Sequence, residues 1–253
     1  MATGRKVRLD LEQLEERAVP ATLGIIVPAY FYPSGNSYWS QLATAAASVP
    51  LVAVMNPNNG PGTVRDPNYA AAVQQVQAAG GKVYGYVYTD YGSRSLTQVK
   101  ADINHYFNWY HVDGIFVDQM TNDVNSTHQQ YYAQIDHFVH HKEASWIDVG
   151  NPGSNTPRSY VGHAADELVL FENDGSGYST YKPPAYQKDY PAGDFANILY
   201  NVASASTMQS DVNLAVSRNT GWIYVTDDTL PNPYDTLPSY WDQEVSAVAA
   251  VNG

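Results

Sequence analysis

Two carboxylates stand at the ends of short apolar runs. Asp118 follows the apolar part of GIFVDQM (114–120), and Glu172 ends ELVLFE (167–172). Taking a carboxylate out of water is costly unless the group has a partner or a chemical task. Such a pair could hydrolyse a glycosidic bond, with one carboxyl protonating the leaving oxygen and the other acting as nucleophile or stabilising an oxocarbenium-like centre. Alternatively, each could pair with an arginine or cap the following helix.

Polar and aromatic side chains that follow other apolar runs are candidates to bind a substrate beside this pair. They are Gln119, Tyr30, Tyr32, Asn56, Tyr88, Asp90, Asn151, Asn201 and Asp227. Tyrosine faces stack on sugar rings, while amides and carboxylates bind sugar hydroxyls. Asp90 and Asp227 also fit the composition of ordinary loops.

The histidine-rich stretch HFVHH (137–141) has the residue type for a metal site. His137 and His141 are spaced by one helical turn, with His140 beside them, but no third ligand follows at a useful spacing. We therefore expect a solvated helix end and no metal. The chain has no cysteine, which excludes thiolate metal sites and cysteine nucleophiles. No phosphate loop, G-x-S-x-G or H-E-x-x-H occurs, and we expect no cofactor.

The elements that must position these residues repeat along the chain. Eight apolar runs begin about 30 residues apart, the length of a βα unit. The runs are LGIIVPAYF (23–31), LVAVMN (51–56), KVYGYVY (82–88), GIFVDQM (114–120), SWIDVG (145–150), ELVLFE (167–172), FANILYN (195–201) and GWIYVT (221–226). Continuous apolar strands indicate a parallel sheet covered by helices.

Helix signals between the runs support the same architecture. Asp66-Pro67 predicts a helix start, and Ser95 with Gln98 has the spacing of a capping box. The pattern predicts an α/β fold, a single (β/α)8 TIM barrel. An open doubly wound sheet is the second choice, because no glycine-rich phosphate loop follows any strand. Residues 153–166 and 175–194 are too short or too rich in proline for the fifth and sixth helices.

Strand alternation predicts which residues share the barrel interior with the two carboxylates. If Asp118 points into the barrel mouth, so do Phe116 and Gly114. By the same parity, Glu172 is expected to share its inward face with Leu170 and Leu168.

Charge and composition restrict the partners. The 253 residues hold 25 acidic and 13 basic side chains, a net charge of -12, and 21 tyrosines. An acidic surface repels phosphate backbones, so nucleic acid is excluded as an expected partner. No apolar run approaches the roughly 18 residues of a membrane span. The tyrosines favour a sugar as ligand, and we expect a monomer.

Several separated motifs of the sequence resemble those of a known protein family. VPAYFYP (27–33), GYVYTDYGSRSLTQVKADINHYFNWYHVDGIFVDQ (85–119), NPG (151–153), LVLFEN (168–173) and TDD…NPYDTLPSYWDQEV (226–245) resemble the spherulin-4 family, which includes glycoside hydrolase family 135. The resemblance implies a (β/α)8 barrel and endo-hydrolysis of α-1,4-linked galactosamine and N-acetylgalactosamine polymers. It implies acidic roles for Asp118 and Glu172.

One position departs from the family pattern. Where the family usually reads G-I-F-F-D-E, this chain has Gln119, an amide that cannot ionise. The alternative function is therefore a catalytically silent carbohydrate-binding or surface-matrix protein on the same barrel.

Residues 1–21 differ in character from the rest. RLDLEQLEERAVPA resembles an N-terminal leader with an L-E-x-L-E-x-R-x-x-P-A pattern found on exported or surface proteins of certain bacteria. The resemblance implies a secreted or cell-surface protein, although the segment lacks the apolar core of a secretory signal. A short charged helix outside the barrel is the alternative. The predicted domain then spans 22–253.

Overall fold

The computed structural model of the chain describes residues 22–34 and 38–253. The predicted leader at 1–21 lies outside the described residues. Across the described part, no helix combines the length and the apolar character that crossing a membrane requires.

Eight parallel strands close into a barrel, which confirms the predicted single (β/α)8 fold. The strands are β1 (Gly24–Ala29), β2 (Leu51–Met55), β3 (Lys82–Tyr88), β4 (Gly114–Asp118), β5 (Ile147–Gly150), β6 (Glu167–Asp174), β7 (Phe195–Tyr200) and β8 (Trp222–Val225). Each strand pairs with the next along the chain, and β1 pairs with β8 to complete the circle. Their carboxyl ends therefore meet at one rim.

Six α-helices lie between these strands or after the last one, within the part of the chain that the structure describes. They are α1 (Tyr38–Ala46), α2 (Pro67–Ala78), α3 (Leu96–Tyr110), α4 (Ser126–Lys142), α5 (Ala205–Ser217) and α6 (Trp241–Asn252). The predicted caps are present. The Asp66 side chain accepts a hydrogen bond from the backbone N–H of Asn68, and Ser95 accepts one from Gln98. These bonds satisfy N–H groups that have no partner within the helix.

Short 3-10 turns replace the helices that would follow β5 and β6. They cover 158–160 after β5, and 175–180, 185–189 and 192–194 after β6. These are the segments in which proline and short length argue against a helix. The tyrosines of the second segment pack against the barrel: Tyr178 is fully buried, and the guanidinium of Arg218 lies 4.5 Å from its ring centre.

Two glycines show which residues of β3 and β4 face the interior. A Cβ on Gly85 would lie 2.4 Å from the ring of Tyr106 on α3, so Gly85 faces the helices. Tyr84 and Tyr86 therefore face inward. A Cβ on Gly114 would lie 2.9 Å from the Tyr84 ring, so Gly114 also faces inward. The parity predicted for β4 is confirmed, and Asp118 points into the mouth.

The parity predicted for β6 is wrong, because this strand contains a bulge. Val169 pairs with Ala196 and Phe171 with Asn197, so Leu170 is an extra residue. The register continues with Glu172 opposite Ile198, while Leu168 is opposite Phe195. Since Phe195 and Ile198 are three residues apart, they face opposite sides of the sheet, and so do Leu168 and Glu172. The bulge rotates Glu172 into the barrel mouth.

Candidate functional site

Asp118, the last residue of β4, is held by two hydrogen-bond donors. The Tyr86 hydroxyl donates to its Oδ2 over 2.7 Å, and the Asn151 side-chain amide donates to its Oδ1 over 2.7 Å. Tyr86 reaches it because β3 and β4 are neighbours and both side chains face inward. Asp118 is therefore fixed from two sides.

Glu172, on the other side of β5 from Asp118, is held in the same manner. The Tyr234 hydroxyl donates to Oε1 over 2.6 Å, and the Asn151 amide donates to Oε2 over 2.5 Å. Tyr234 lies in the long loop between β8 and α6. The backbone N–H of Glu172 donates to the carbonyl of Gly153 over 3.0 Å, which ties β6 to the loop after β5.

Asn151 bridges the two carboxylates with one nitrogen atom. The residue follows β5 and is buried, and its own backbone is anchored: its N–H donates to Val117, and its carbonyl accepts from Met120. Its Oδ1 accepts from the Gly153 N–H over 3.0 Å, which orients the amide so that nitrogen faces the acids. A rigid donor at this point holds the pair together.

The two carboxylates are close. Because both accept from the same Asn151 nitrogen, the oxygens concerned are no further apart than the sum of two hydrogen bonds. That limit is 5.2 Å, from bonds of 2.7 and 2.5 Å, and it is shorter than the about 6.5–9.5 Å between the carboxyl groups of inverting glycosidases. Among the described residues, neither carboxylate forms an ion pair with a basic side chain. The structural alternative of an arginine partner is thereby excluded within that part of the chain.

Burial and mutual repulsion change the acidity of the pair. Burial raises the pKa of Asp118, although the hydrogen bonds from Tyr86 and Asn151 and the backbone amide of Gln119 oppose this. Burial also raises the pKa of Glu172, and the negative charge of Asp118 raises it further. A pair of this kind retains a proton more readily than a solvated acid.

Three tyrosines surround the two carboxylates. Tyr30, just after β1, packs edge-to-face on Tyr86 and on Tyr234, with ring centres 5.6 and 5.5 Å apart. Burial raises the pKa of Tyr30, and the charges of Asp118 and Glu172 add to the effect, so the phenol stays neutral. Aromatic faces beside a carboxylate pair are suited to a sugar ring.

Tyr86 and Tyr234 are absent from the candidates that the sequence yields. Tyr86 could have been found by applying the alternation rule to β3, since it shares the face of Tyr88. Tyr234 carries no such signal, because it lies in an irregular loop.

Gln119 and Tyr88 lie beside the pair. Gln119 adopts a left-handed backbone (φ 52°), and its carbonyl accepts hydrogen bonds from Tyr91 and from the Thr89 hydroxyl. Tyr88 pairs with Asp118 across β3 and β4, and the Arg94 guanidinium lies 4.2 Å from its ring centre. Both remain predicted substrate contacts.

The other predicted contacts are engaged in local structure around the rim. Tyr32 donates from its hydroxyl to Asp66 at the start of α2, over 2.9 Å, and Asn56 accepts from the Gly60 N–H over 3.0 Å. Asp90 accepts from the Ser93 hydroxyl over 2.5 Å. These bonds give each of the three side chains a hydrogen-bond partner even when no ligand is bound.

Two more candidates lie farther round the rim. Asn201 donates to Asp174 over 2.6 Å, and Asp227 accepts from the backbone and the hydroxyl of Ser239. Of the predicted residues, the structure brings together Asp118, Glu172, Asn151 and Tyr30. Substrate binding by the others stays a prediction.

Sequence comparison decides the family. The profile described as "Spherulation-specific family 4" matches residues 24–248. Spherulin-4 of Physarum polycephalum is 33% identical over 240 residues, which cover 90% of this chain and 70% of that protein. The chain belongs to the spherulin-4 family. The resemblance seen in the sequence is confirmed, and the match spans the whole described barrel from β1 into α6.

Solved structures share the barrel fold of this spherulin-4 chain. Sph3 of Aspergillus clavatus, in a complex with GalNAc, has a TM-score of 0.79 at 21% identity, covering 91% of this chain and 99% of that one. A chitinase of Chromobacterium violaceum has a TM-score of 0.57 at 11% identity, with 90% and 99% covered. At these identities the likeness establishes the barrel fold.

Proposed function

We propose that this spherulin-4 protein is a glycoside hydrolase that cleaves an amino-sugar polysaccharide. The observation that supports it most directly is the pair of inward-facing carboxylates, Asp118 and Glu172, held by one Asn151 amide at the carboxyl ends of the strands. Barrel enzymes carry their chemistry at this rim. The pair also has the composition and spacing that acid-catalysed cleavage of a glycosidic bond requires.

The two acids take different roles because their surroundings differ. Glu172, whose pKa is raised by burial and by Asp118, carries the proton and donates it to the glycosidic oxygen as the bond breaks. Asp118 stays ionised, supported by the hydroxyl of Tyr86, and stabilises the positive charge that develops at the anomeric carbon. Water then adds to that carbon and returns a proton to Glu172, so both carboxyl groups end the cycle as they began it.

The substrate class rests on the relatives and on charge. The structure of Sph3 in complex with GalNAc shows that a protein of the same fold binds an amino sugar. We propose an α-1,4-linked galactosamine and N-acetylgalactosamine polymer, whose 2-acetamido group could assist Asp118 at the anomeric carbon. Partly deacetylated chains are cationic, which suits a protein with a net charge of -12. A secreted or cell-surface location, proposed from the leader, matches a matrix polymer.

Release of reducing ends from this polymer tests the proposal. The wild-type protein should release them, and Asp118→Asn and Glu172→Gln should each abolish release while the chain stays folded. Asp228→Asn is the matched control, because Asp228 also follows β8 at this rim but accepts its hydrogen bond from the hydroxyl of Thr236. Full activity in either pair variant would overturn the assignment.

Gln119 favours a second candidate function, a carbohydrate-binding protein without hydrolysis. The resemblance places a glutamate at this position, and an amide cannot transfer a proton at neutral pH. Binding and reducing ends should therefore be measured separately on the same polymer. If the wild type binds without cleaving and Gln119→Glu restores cleavage, the silent function is correct. If the wild type cleaves, Gln119 has only a binding or tuning role.

A further inference from the structure

A second cluster of acidic groups lies on the outer wall of the barrel, away from the Asp118 and Glu172 pair. It contains Asp136 and His140 of α4, Asp148 of β5 and Asp166 just before β6. One ligand-type atom from each of the four residues lies within 4.8 Å of the corresponding atoms of the others. The cluster is nearer the amino ends of β5 and β6, whereas the pair lies at their carboxyl ends.

Asp148 occupies a position where an apolar residue is expected. It pairs with Ile115, which faces away from the barrel interior because Gly114 faces in, so Asp148 points outward toward α4. Its side chain is fully buried, and its Oδ2 has no hydrogen-bond partner among the described residues. A buried carboxylate oxygen without a partner is costly, and this side chain has a ligand atom within 4.8 Å of those of the other three groups.

The remaining oxygens are held in fixed directions by the backbone. The Asp148 N–H donates to Asp166 Oδ2 over 3.0 Å, and the Asp166 N–H donates to Asp148 Oδ1 over 3.2 Å. Two carboxylates that each bind the other's amide cannot rotate freely. The arrangement engages Asp148 Oδ1, leaves Oδ2 without a partner among the described residues, and restricts both side chains before any ligand arrives.

His140, on α4, contributes the imidazole of the cluster. Its Nε2 lies 3.3 Å from Asp136 Oδ1 and 3.1 Å from Asp166 Oδ2. Two ligands of a tetrahedral zinc ion, each about 2.0–2.2 Å from the metal, are about 3.3–3.5 Å apart. The imidazole lies at hydrogen-bonding distance from these carboxylates, with Asp166 Oδ1 at 3.2 Å, and groups that share one zinc ion have nearly the same spacing.

We propose that Asp136, His140, Asp148 and Asp166 bind one divalent transition-metal cation, with Zn²⁺ as its chemical type. Three oxygen ligands and one imidazole suit zinc, while a calcium site would use oxygens alone. Among the described residues, His140 is the one basic side chain at ion-pair distance from these acids. One imidazole faces three carboxylates, and a divalent cation would supply the remaining positive charge. The ion would join α4 to β5 and β6 and stabilise the fold.

This site uses a different pairing from the one that the histidine-rich stretch suggests. His137 and His141 stack on each other, with ring centres 6.4 Å apart, and neither joins the cluster. The helical pair that does join it is Asp136 and His140, and the third and fourth ligands come from distant segments. Spacing along the sequence could not reveal them.

The alternative explanation is that a proton shared between the carboxylates, and not a cation, stabilises the cluster. Burial raises the pKa of Asp148 well above its ordinary value, and the charges of Asp136 and Asp166 add to this, so a shared proton would also satisfy the cluster. Titration with the metal distinguishes the two, and it requires no enzymatic activity. A failure of the proposed glycosidase function would leave its result unchanged.

Isothermal titration of the full chain with ZnCl₂, after dialysis against EDTA and then metal-free buffer, tests the proposal. We expect one ion per chain, and a rise in Tm of about 5–10 °C at a zinc concentration 100-fold above Kd. His140→Gln should weaken binding at least tenfold. His128→Gln is the matched control, since His128 also lies on α4 beside an aspartate, Asp123 at 2.8 Å, but outside the cluster.

Three results would overturn the proposal: no saturable binding, binding of several ions without a change in Tm, or equal loss of affinity in both histidine variants. Asp148→Asn adds a second test, because it keeps the volume and removes one ligand charge. If that variant is more stable than wild type without metal and no longer responds to zinc, both the site and the cost of its unpartnered carboxylate are supported. If it responds to zinc as wild type does, Asp148 is not a ligand.

Discussion

Asp118 and Glu172 accept hydrogen bonds from the same nitrogen atom, the side-chain amide of Asn151. Two buried carboxylates this close repel each other unless a proton or a donor lies between them. Asn151 supplies the donor, and its orientation is fixed by the Gly153 N–H. The bridge therefore makes a close acidic pair compatible with folding and sets the distance at which the pair acts.

Replacing this bridge with a carboxylate should damage both activity and stability. Asn151→Asp preserves shape but puts a third acid beside the pair and removes its shared donor. We expect kcat to fall by about 10²-fold or more, as for loss of a preorganised donor, together with a lower Tm. Reducing-end assays and thermal denaturation measure the two effects.

Gln77→Glu is the control for the bridge. The Gln77 side-chain amide also donates to an acid, Asp113, over 3.0 Å, but Asp113 precedes β4 and lies at the opposite end of the barrel from the pair. The variant adds one negative charge beside an acid, as Asn151→Asp does, and should keep wild-type kcat. If Asn151→Asp is as active as Gln77→Glu, the bridge has no part in catalysis.

The hydroxyl of Tyr86 should set the acidic limb of the pH profile. Its hydrogen bond lowers the pKa of Asp118, so Tyr86→Phe should raise that pKa and move the acidic limb of kcat upward. A hydrogen bond to a charged group is worth about 1.5–3 kcal/mol, which corresponds to about 1–2 pH units. Activity measured in steps from pH 3 to 9 would show the shift.

Tyr84→Phe provides the matched control. Tyr84 faces the same interior two residues earlier in β3, but its buried hydroxyl has no partner among the described residues. The change should leave the acidic limb in place. An equal shift in both variants would mean that loss of interior polarity, and not the bond to Asp118, causes the effect.

The strands and the rim could be predicted because each apolar run is bounded by turn residues. Alternation placed Asp118 correctly, since β4 has regular register. For β6 it assigns the wrong neighbours to the inward face, because Val169, Leu170 and Phe171 are all apolar and give no sign of which one is the extra residue of the bulge. Glu172 itself faces inward as predicted, and it stands out in the sequence because a carboxylate at the end of an apolar run is unusual on either face.

Contacts between residues far apart in the sequence could not be predicted, for a different reason. Tyr234 reaches Glu172 from a loop without periodicity, and Asp148 meets Asp136 and Asp166 across a helix–strand interface. The spacing of residues along the sequence carries no information about such contacts. Only the closed register of the barrel and the position of α4 bring these side chains together.

A substitution at Gly153 should strain the backbone and also displace Glu172. It adopts φ 62°, and a Cβ placed there would lie 3.4 Å from Glu172 Cβ. Gly153→Ala should lower the free energy of unfolding by about 1–2 kcal/mol, the cost of a left-handed alanine, and relieve that strain by moving Glu172. We expect kcat to fall with little change in KM.

Gly162→Ala is the control, because it separates the effect of backbone strain from the effect of contact with Glu172. Gly162 has nearly the same backbone angle, φ 67°, but a Cβ there would meet nothing within 4 Å. Both variants should lose similar stability in urea denaturation, and only Gly153→Ala should lose activity. Equal activity in the two would show that Glu172 tolerates the displacement.

Glu167 should make the protein less stable as the pH rises. It is largely buried at the lower end of the barrel, which raises its pKa to about 8, partly opposed by the charge of Lys82. The folded state therefore holds a proton that the unfolded chain, with an ordinary pKa near 4.5, has released. This favours folding most strongly below that ordinary value, and the advantage is lost progressively up to about pH 8, at no more than about 1.4 kcal/mol per pH unit.

Urea denaturation at pH 5, 6.5 and 8, with EDTA present to exclude bound metal, measures this slope. Glu167→Gln keeps a neutral side chain at every pH, so its stability should fall less steeply from pH 5 to 8 than that of the wild type. Glu143→Gln is the control, because Glu143 is exposed at the end of α4. If the slope is unchanged in Glu167→Gln, the loss of stability comes from other buried acids, such as Glu244, whose pKa is also raised by burial.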